Sequence, residues 1–251
     1  MSLIDKVEIP RRIMTLFFVI DASGSMDGSK IGAVNAAIEE VIPALRDVSD
    51  ENADAQIKVA VLEFSSGARW ITANGPVELD QFRWNYVDAG GVTDLGAACK
   101  ALNEKLSTKA FMQEATGSFA PAIFLMSDGE PTDDWQSGLD QLKQNNWFKA
   151  APKVAVAIGD DANKDVLKAF TGTMEAVLET HSAAMLKKMI KFVSVRASQV
   201  ASKSSNVSDS SADMGDEQKQ EELNTALKEF VEDSAVEAVA APNNNDDGKE
   251  W

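Results

Sequence analysis

Cysteine, histidine and tyrosine each occur only once in the 251 residues, and that scarcity excludes several kinds of protein at the outset. A lone thiol, Cys99, forms no disulfide within the chain, so the fold must rest on a buried apolar core, for which this length suffices. Cys99 lies in the run Gly96-Ala97-Ala98-Cys99-Lys100-Ala101, which reads as the small-residue face of a helix, so the thiol is expected to pack like an alanine. A reducing, cytoplasmic compartment agrees with that usage. His181, in Glu179-Thr180-His181-Ser182-Ala183, is expected in an exposed loop or cap before the last helix. With no second histidine and no thiol pair, a serine triad of the usual kind cannot be assembled.

Positive charge is also short: 24 Lys and Arg face 40 Asp and Glu, a net charge of −16. Nucleic acid is thereby excluded as a partner for want of a basic footprint, and anionic membranes are disfavoured. Long hydrophobic runs are lacking as well. Met14–Ile20 follows Arg11-Arg12 but ends in Asp21 with no small-residue cleavage site, so it reads as a core strand and not as an export signal. No segment approaches the roughly 20 apolar residues that span a bilayer.

What is present is ordinary for a globular protein: 44% apolar and 25% charged residues. The composition breaks near Ser198. From Lys203 to Trp251 there are 13 acidic residues against 4 lysines, which puts −9 of the total −16 in this tail. Low hydrophobicity with high net charge leaves too little buried area to offset chain entropy, so residues 199–251 are expected to be a largely disordered acidic tail. One exception stands out. Leu223, Ala226, Leu227, Phe230, Val231, Ser234 and Ala235 recur at helical spacing, which predicts an amphipathic helix over 217–240, available to dock on something else.

Residues 1–198 read as one α/β domain. Strand-like segments at Met14–Ile20, Ile57–Phe64, Ala68–Ile71, Ala122–Met126, Val154–Ile158 and Ala176–Leu178 alternate with helical ones at Ile31–Leu45, Leu95–Leu106, around Leu139–Leu142, Asp165–Phe170 and Ala183–Val195. Nearly continuous apolar strands separated by helices predict a mainly parallel sheet covered on both faces. The close turn Ser65-Ser66-Gly67 after Phe64 predicts one antiparallel edge strand.

Two acidic residues sit where open α/β sheets bind ligands, beyond the carboxyl ends of strands. Asp21 ends Phe17-Phe18-Val19-Ile20, and Asp128 follows Ile123-Phe124-Leu125-Met126-Ser127. If those strands are neighbours, two like charges face each other and call for a cation between them. Ser23 and Ser25 follow Asp21 at alternate positions, with Gly24 bending the chain between them. These are hard oxygen donors, suited to Mg²⁺ or Mn²⁺ in preference to zinc. Taken alone, Ser-Gly-Ser before a helix is also good N-cap chemistry.

Asp21-Ala22-Ser23-Gly24-Ser25-Met26 resembles the metal-ion-dependent adhesion site of von Willebrand factor A domains. Thr93-Asp94-Leu95-Gly96-Ala97-Ala98 resembles that site's middle segment, and Ser127-Asp128-Gly129-Glu130-Pro131-Thr132-Asp133 its last segment, in the form found in bacterial TerY-like proteins. The likeness runs from about Thr15 to Val195. It implies a Rossmann-like sheet of order 3-2-1-4-5-6. It also implies one Mg²⁺ (or Mn²⁺ or Ca²⁺) held by Ser23, Ser25 and Thr93, with Asp21 and Asp128 acting directly or through water. A coordination position is left for a partner protein's Asp or Glu, and the chain itself is expected not to be an enzyme. TerY-like proteins further imply a setting of tellurite or stress resistance and a companion kinase or phosphatase as partner. One departure is visible: Val92 intervenes between Gly90-Gly91 and Thr93, which leaves Asp94 as a competitor for the middle ligand.

Two other readings of the same residues stand beside this one. A phosphatase of haloacid dehalogenase type also ends an apolar strand in Asp, but it needs a second aspartate two residues on, where this chain has Ser23, and a phosphate-holding lysine that the sequence does not single out. An inert scaffold with a closed, structural metal is the other. Elsewhere, Glu63 is expected to form an ion pair at the sheet end. Trp70, Trp84 and Trp135 are core residues by default and partner anchors if exposed near the metal. Asp27, Asp133 and Asp134 would make the rim acidic.

Overall fold

A computed structural model of the chain describes residues 11–53, 55–114, 117–180, 182–201 and 212–240. His181 lies outside the described residues, as do the serine-rich stretch 202–211 and the terminal segment 241–251.

The first strand, β1 (Arg12–Asp21), is buried at every position after Arg12. An unbroken run of aromatic and aliphatic side chains can satisfy both faces of a strand only in the middle of a covered sheet. There β1 lies, with β2 (Ala55–Ser65) on one side and β5 (Ala122–Ser127) on the other, both parallel to it. Outward from β5 come β6 (Lys153–Ile158) and β7 (Val177–Thr180), again parallel. Outward from β2, the turn at Ser66 leads into β3 (Gly67–Trp70), the antiparallel edge strand. The order is thus β3-β2-β1-β5-β6-β7, with a two-residue strand, β4 (Val77–Glu78), paired antiparallel to the start of β2. Leaving β4 aside, this is the 3-2-1-4-5-6 order that the resemblance implied.

The pleat divides the strands between two cores. Leu16, Phe18 and Ile20 of β1 point to one side with Ile57, Val59, Phe124, Met126 and Val156. That layer is covered by α1 (Ser29–Glu51) and α6 (Ala183–Ala201). Phe17 and Val19 point to the other side with Leu62, Phe64, Ile123 and Leu125, beneath α2 (Leu95–Lys105), α3 (Trp135–Leu142), α4 (Asn146–Ala150) and α5 (Lys164–Thr171). Helices α2 and α3 touch at two glycines: a Cβ on Gly138 would come within 2.6 Å of the Gly96 carbonyl oxygen.

Three differences from the sequence reading have local causes. The last strand begins at Val177 and not at Ala176, because Met174–Ala176 close into a 3₁₀ turn whose start is held by Thr173. Helix α4 is a single turn whose first N–H groups are capped by Asn145, too short for periodicity to register. β4 is set by pairing with β2 and not by its own composition.

The amphipathic helix expected over 217–240 forms as α7 (Ala212–Ala240). Its apolar stripe is not left free for another protein, as the sequence reading had it. Leu223 and Leu227 are fully buried in the first core, and Phe230 stacks on Phe192 of α6 at 4.4 Å between ring centroids. The side-chain amide of Gln220 accepts from the Lys153 N–H (2.8 Å) and donates to the Lys153 carbonyl (3.2 Å), tying α7 to the first residue of β6. Burial of two leucines contributes about 1.5–3 kcal/mol each, far above what a loose helix on a polar tail would gain. Among the described residues, no helix is long and apolar enough to cross a membrane.

Candidate metal centre

β1 and β5 are adjacent, with Ile20 opposite Met126, so Asp21 and Asp128 emerge together at their carboxyl ends. The chain leaves β1 toward β2 on one side and reaches β5 on the other, so this is the switch point of the sheet.

Asp21 is 0% exposed. One carboxylate oxygen accepts from the backbone N–H of Ser23 at 2.9 Å, and the other from the Ser127 hydroxyl at 2.5 Å. Burial pushes its pKa above the ordinary carboxylate value, and the nearby Asp128 adds to the rise, while the bonds from Ser127 and Ser23 oppose it. A cation would relieve both causes of that rise.

The turn Gly24–Met26 is clamped from below by the fully buried Met26 and from the side by the Gly24 N–H, which donates to the Gly91 carbonyl at 3.1 Å. This presents the two hydroxyls together. Ser23 Oγ and Ser25 Oγ are 3.1 Å apart, and Ser25 Oγ donates to Asp128 Oδ1 at 2.8 Å. Ser23 and Asp128 are buried and Ser25 is exposed, so the cluster opens to solvent at one end.

The middle segment is stitched to both others by its backbone. The Gly90 N–H donates to the Ala22 carbonyl at 2.8 Å. Thr93 donates its N–H to the Thr132 hydroxyl at 3.0 Å and accepts from the Thr132 N–H at 2.8 Å. Among the described residues, no hydrogen bond engages the Thr93 hydroxyl. Asp94 is spent elsewhere: one oxygen accepts from the Gly67 N–H at 2.8 Å, the other from the Thr132 hydroxyl at 3.3 Å. Thus Asp21, Ser23, Ser25 and Asp128 form one cluster, linked by direct bonds except between the two aspartates, while Thr93 is carried to its edge by the backbone.

Asp133 is not a free rim charge. Its two oxygens accept from the N–H groups of Gly96 and Ala97, both at 2.9 Å, and so cap the start of α2. Asp134 likewise accepts from the Ser137 N–H at the start of α3. The tryptophans are packing residues: Trp70 stands edge-on between Phe17 and Phe111, Trp84 tilts against Phe82, and Trp135 packs on the second core. Val92 is the apolar side chain left exposed beside Thr93. Glu63 pairs with Arg69 at 2.7 Å, as expected.

One residue at this centre escaped the sequence reading. Lys30 Nζ donates to Asp128 Oδ2 at 2.8 Å and to Asp161 Oδ1 at 3.0 Å. Burial alone would depress its pKa, but the bonds and charges of Asp128 and Asp161 outweigh that and raise it. The Lys30 hydrogen bond correspondingly lowers the pKa of Asp161. The one sequence hint was its place in the first turn of α1, where a helix dipole disfavours a cation.

Among the described residues, no group of three or more His, Cys, Asp or Glu side chains is placed to hold a metal. Serine hydroxyls stand beside the two carboxylates, and that all-oxygen donor set fits a hard divalent cation.

The family profile described as "von Willebrand factor type A domain" matches residues 15–192. Among solved structures, proximal thread matrix protein 1 from the mussel byssus, with a zinc occupied MIDAS motif, is similar at 19% identity and a TM-score of 0.57, over 75% of this chain and 48% of that one. A von Willebrand factor type A protein from Catenulispora acidiphila is 18% identical, with a TM-score of 0.54 over 74% of this chain and 43% of that one. The pilus adhesin SpaC from Lactobacillus rhamnosus GG is 13% identical, with a TM-score of 0.57 over 74% of this chain and 30% of that one. The chain thus spans less than half the length of each. No curated protein matches the sequence.

Proposed function

Because the chain belongs to the von Willebrand factor type A domain family, we propose that it is a metal-dependent protein-binding module whose centre is Asp21, Ser23, Ser25, Thr93 and Asp128, and that it catalyses nothing itself. The observation that carries this reading is the direct relay from Ser23 through Ser25 to Asp128 at the switch point of the sheet.

Within that reading each side chain has a task. Ser23 and Ser25 supply neutral oxygens, and Thr93 supplies a third that no hydrogen bond engages among the described residues. Asp94 is the weaker choice for the middle ligand, since both its oxygens already serve the β2–β3 turn and Thr132. Asp21, buried and fixed by Ser23 and Ser127, and Asp128, fixed by Ser25 and Lys30, supply the charge. A divalent ion so held is only partly neutralised and would attract a carboxylate of a partner protein, with a charge-assisted bond that water cannot match. Mg²⁺ suits these donors best. The zinc named for the mussel protein makes zinc the ion to test against it.

The phosphatase alternative gains a lysine in Lys30, yet both bonds of that ammonium go to carboxylates, and the position two residues after Asp21 is still Ser23. Ser23 cannot serve as the general acid that this chemistry needs, which favours the non-enzyme reading over a phosphatase of that type. The tellurite or stress-resistance setting, with a companion kinase or phosphatase as partner and a cytoplasmic location, rests on the Ser127–Asp133 segment and the lone buried Cys99. Similar domains in pilus adhesins make the cell surface its rival, which fractionation decides.

The test is capture of a partner by the immobilised full chain in Mg²⁺ and in chelator, repeated with Asp21→Ala. A partner retained in Mg²⁺, lost in chelator and lost with the variant supports the metal bridge. A partner retained equally in all three rejects it, and phosphatase turnover abolished by Asp21→Ala rejects the non-enzyme reading.

A further inference from the structure

Lys30 is seated in a slot made for it. Its side chain is 12% exposed although it carries a full charge, and it runs over Gly159, where a Cβ would come within 2.8 Å of Lys30 Cε and 3.0 Å of Nζ. Gly159 also has φ +91°, a backbone conformation that other residues rarely adopt. The ammonium lands between two carboxylates of unlike exposure: Asp128, whose side chain is 3% exposed, and Asp161, which is 72% exposed. Asp128 Oδ1 is turned to Ser25 and the metal cluster, whereas Oδ2 is taken by the lysine. The contact joins the start of α1, the end of β5 and the loop after β6.

Resting on the metal-centre reading above, we infer that Lys30 is a tethered counter-ion of that centre, which holds Asp128 in place when no metal is bound and lowers the centre's affinity for the metal. A buried carboxylate left without a partner carries a large desolvation cost, and Asp128 avoids it through a cation built into the chain. The same positive charge would repel a cation held on the Oδ1 side of Asp128. At the effective dielectric of a protein surface, a like charge at that range weakens cation binding by tenfold or more. The centre is thereby kept assembled but only moderately tight, so that its ion stays poorly neutralised and receptive to a partner's carboxylate. Asp161 moderates the effect by sharing the ammonium.

Lys30→Met keeps the length of the side chain and removes its charge. Calorimetric titration of the full chain with Mg²⁺ should give a Kd at least tenfold lower for Lys30→Met than for the parent. In chelator, its melting temperature should fall below the parent's by several degrees, and saturating Mg²⁺ should restore it. Asp161→Asn, which leaves the ammonium to Asp128 alone, should weaken Mg²⁺ binding a few-fold. Opposite signs for the two variants separate electrostatic tuning from mere positioning, which would weaken Mg²⁺ binding in both. Equal or weaker Mg²⁺ binding by Lys30→Met overturns this inference and leaves the metal-centre reading intact, as does unchanged or tighter binding by Asp161→Asn. Binding by Lys30→Met alone overturns both the reading of the parent as a Mg²⁺ protein and the inference, which needs a parent centre that still holds its ion. Binding by neither parent nor variant overturns both.

Discussion

At the scale of single residues, the side chains of the proposed centre have separable roles, and substitution should distinguish them. Ser23→Ala removes one neutral oxygen while leaving Asp21 bonded to the Ser23 backbone, so Mg²⁺ affinity should fall about three- to tenfold with the melting temperature nearly unchanged. Thr93→Ala should weaken Mg²⁺ to a similar degree, whereas Asp94→Asn should cost stability more than affinity because Asp94 ties Gly67 to Thr132. Titration calorimetry and thermal denaturation of the pair decide, and the reverse ranking would assign the ligand to Asp94. Cys99 offers an independent check on the core. Burial pushes its thiol up to about 12, with Asp133 adding to the rise, and the thiolate is the reactive form. A maleimide should therefore leave the native chain unmodified at pH 8 and label it rapidly in denaturant. Asp21 and Asp128 were readable in the sequence because each closes an apolar strand. Lys30 was not, because Asp128 and Asp161 lie far along the chain and no local pattern announces such partners.

At the scale of elements, the long apolar strands and helices were legible because their periodicity follows burial. Where the pairing partner or a cap decides, as in β4 and α4, composition was silent. Helix α7 shows both sides of this. Its stripe of Leu223, Leu227 and Phe230 was visible, but its seat depends on α6 and on the backbone of Lys153, which only the tertiary structure brings near. Leu227→Ala should destabilise the whole domain by about 2–5 kcal/mol in urea denaturation and leave Mg²⁺ affinity unchanged, since Gln220 ties α7 to the amino end of β6, the end of the sheet away from the centre. A cost near zero would mean that α7 detaches easily. Gly138→Ala should also destabilise, by driving α3 away from the Gly96 backbone. Both effects are read from the same denaturation curves.

At the scale of the whole molecule, two cores lie on either face of one sheet, and the proposed metal centre lies at the carboxyl end of that sheet. The net charge of −16 favours cations over anions around the molecule as a whole. The three motif segments are joined by their own hydrogen bonds as well as by side chains, so the centre should exist before an ion arrives. Mg²⁺ should then raise the melting temperature with the logarithm of its concentration over Kd, the stability gained being about 2.7 kcal/mol at a hundred times Kd. The most direct test of this account is a calorimetric Mg²⁺ titration of the full chain beside Asp21→Asn, which keeps the shape of the side chain and loses its charge. The account predicts one binding site in the parent and at least a tenfold loss of affinity in the variant, with both proteins folded. Equal affinity in the two, or tight zinc binding with none for Mg²⁺, would contradict it.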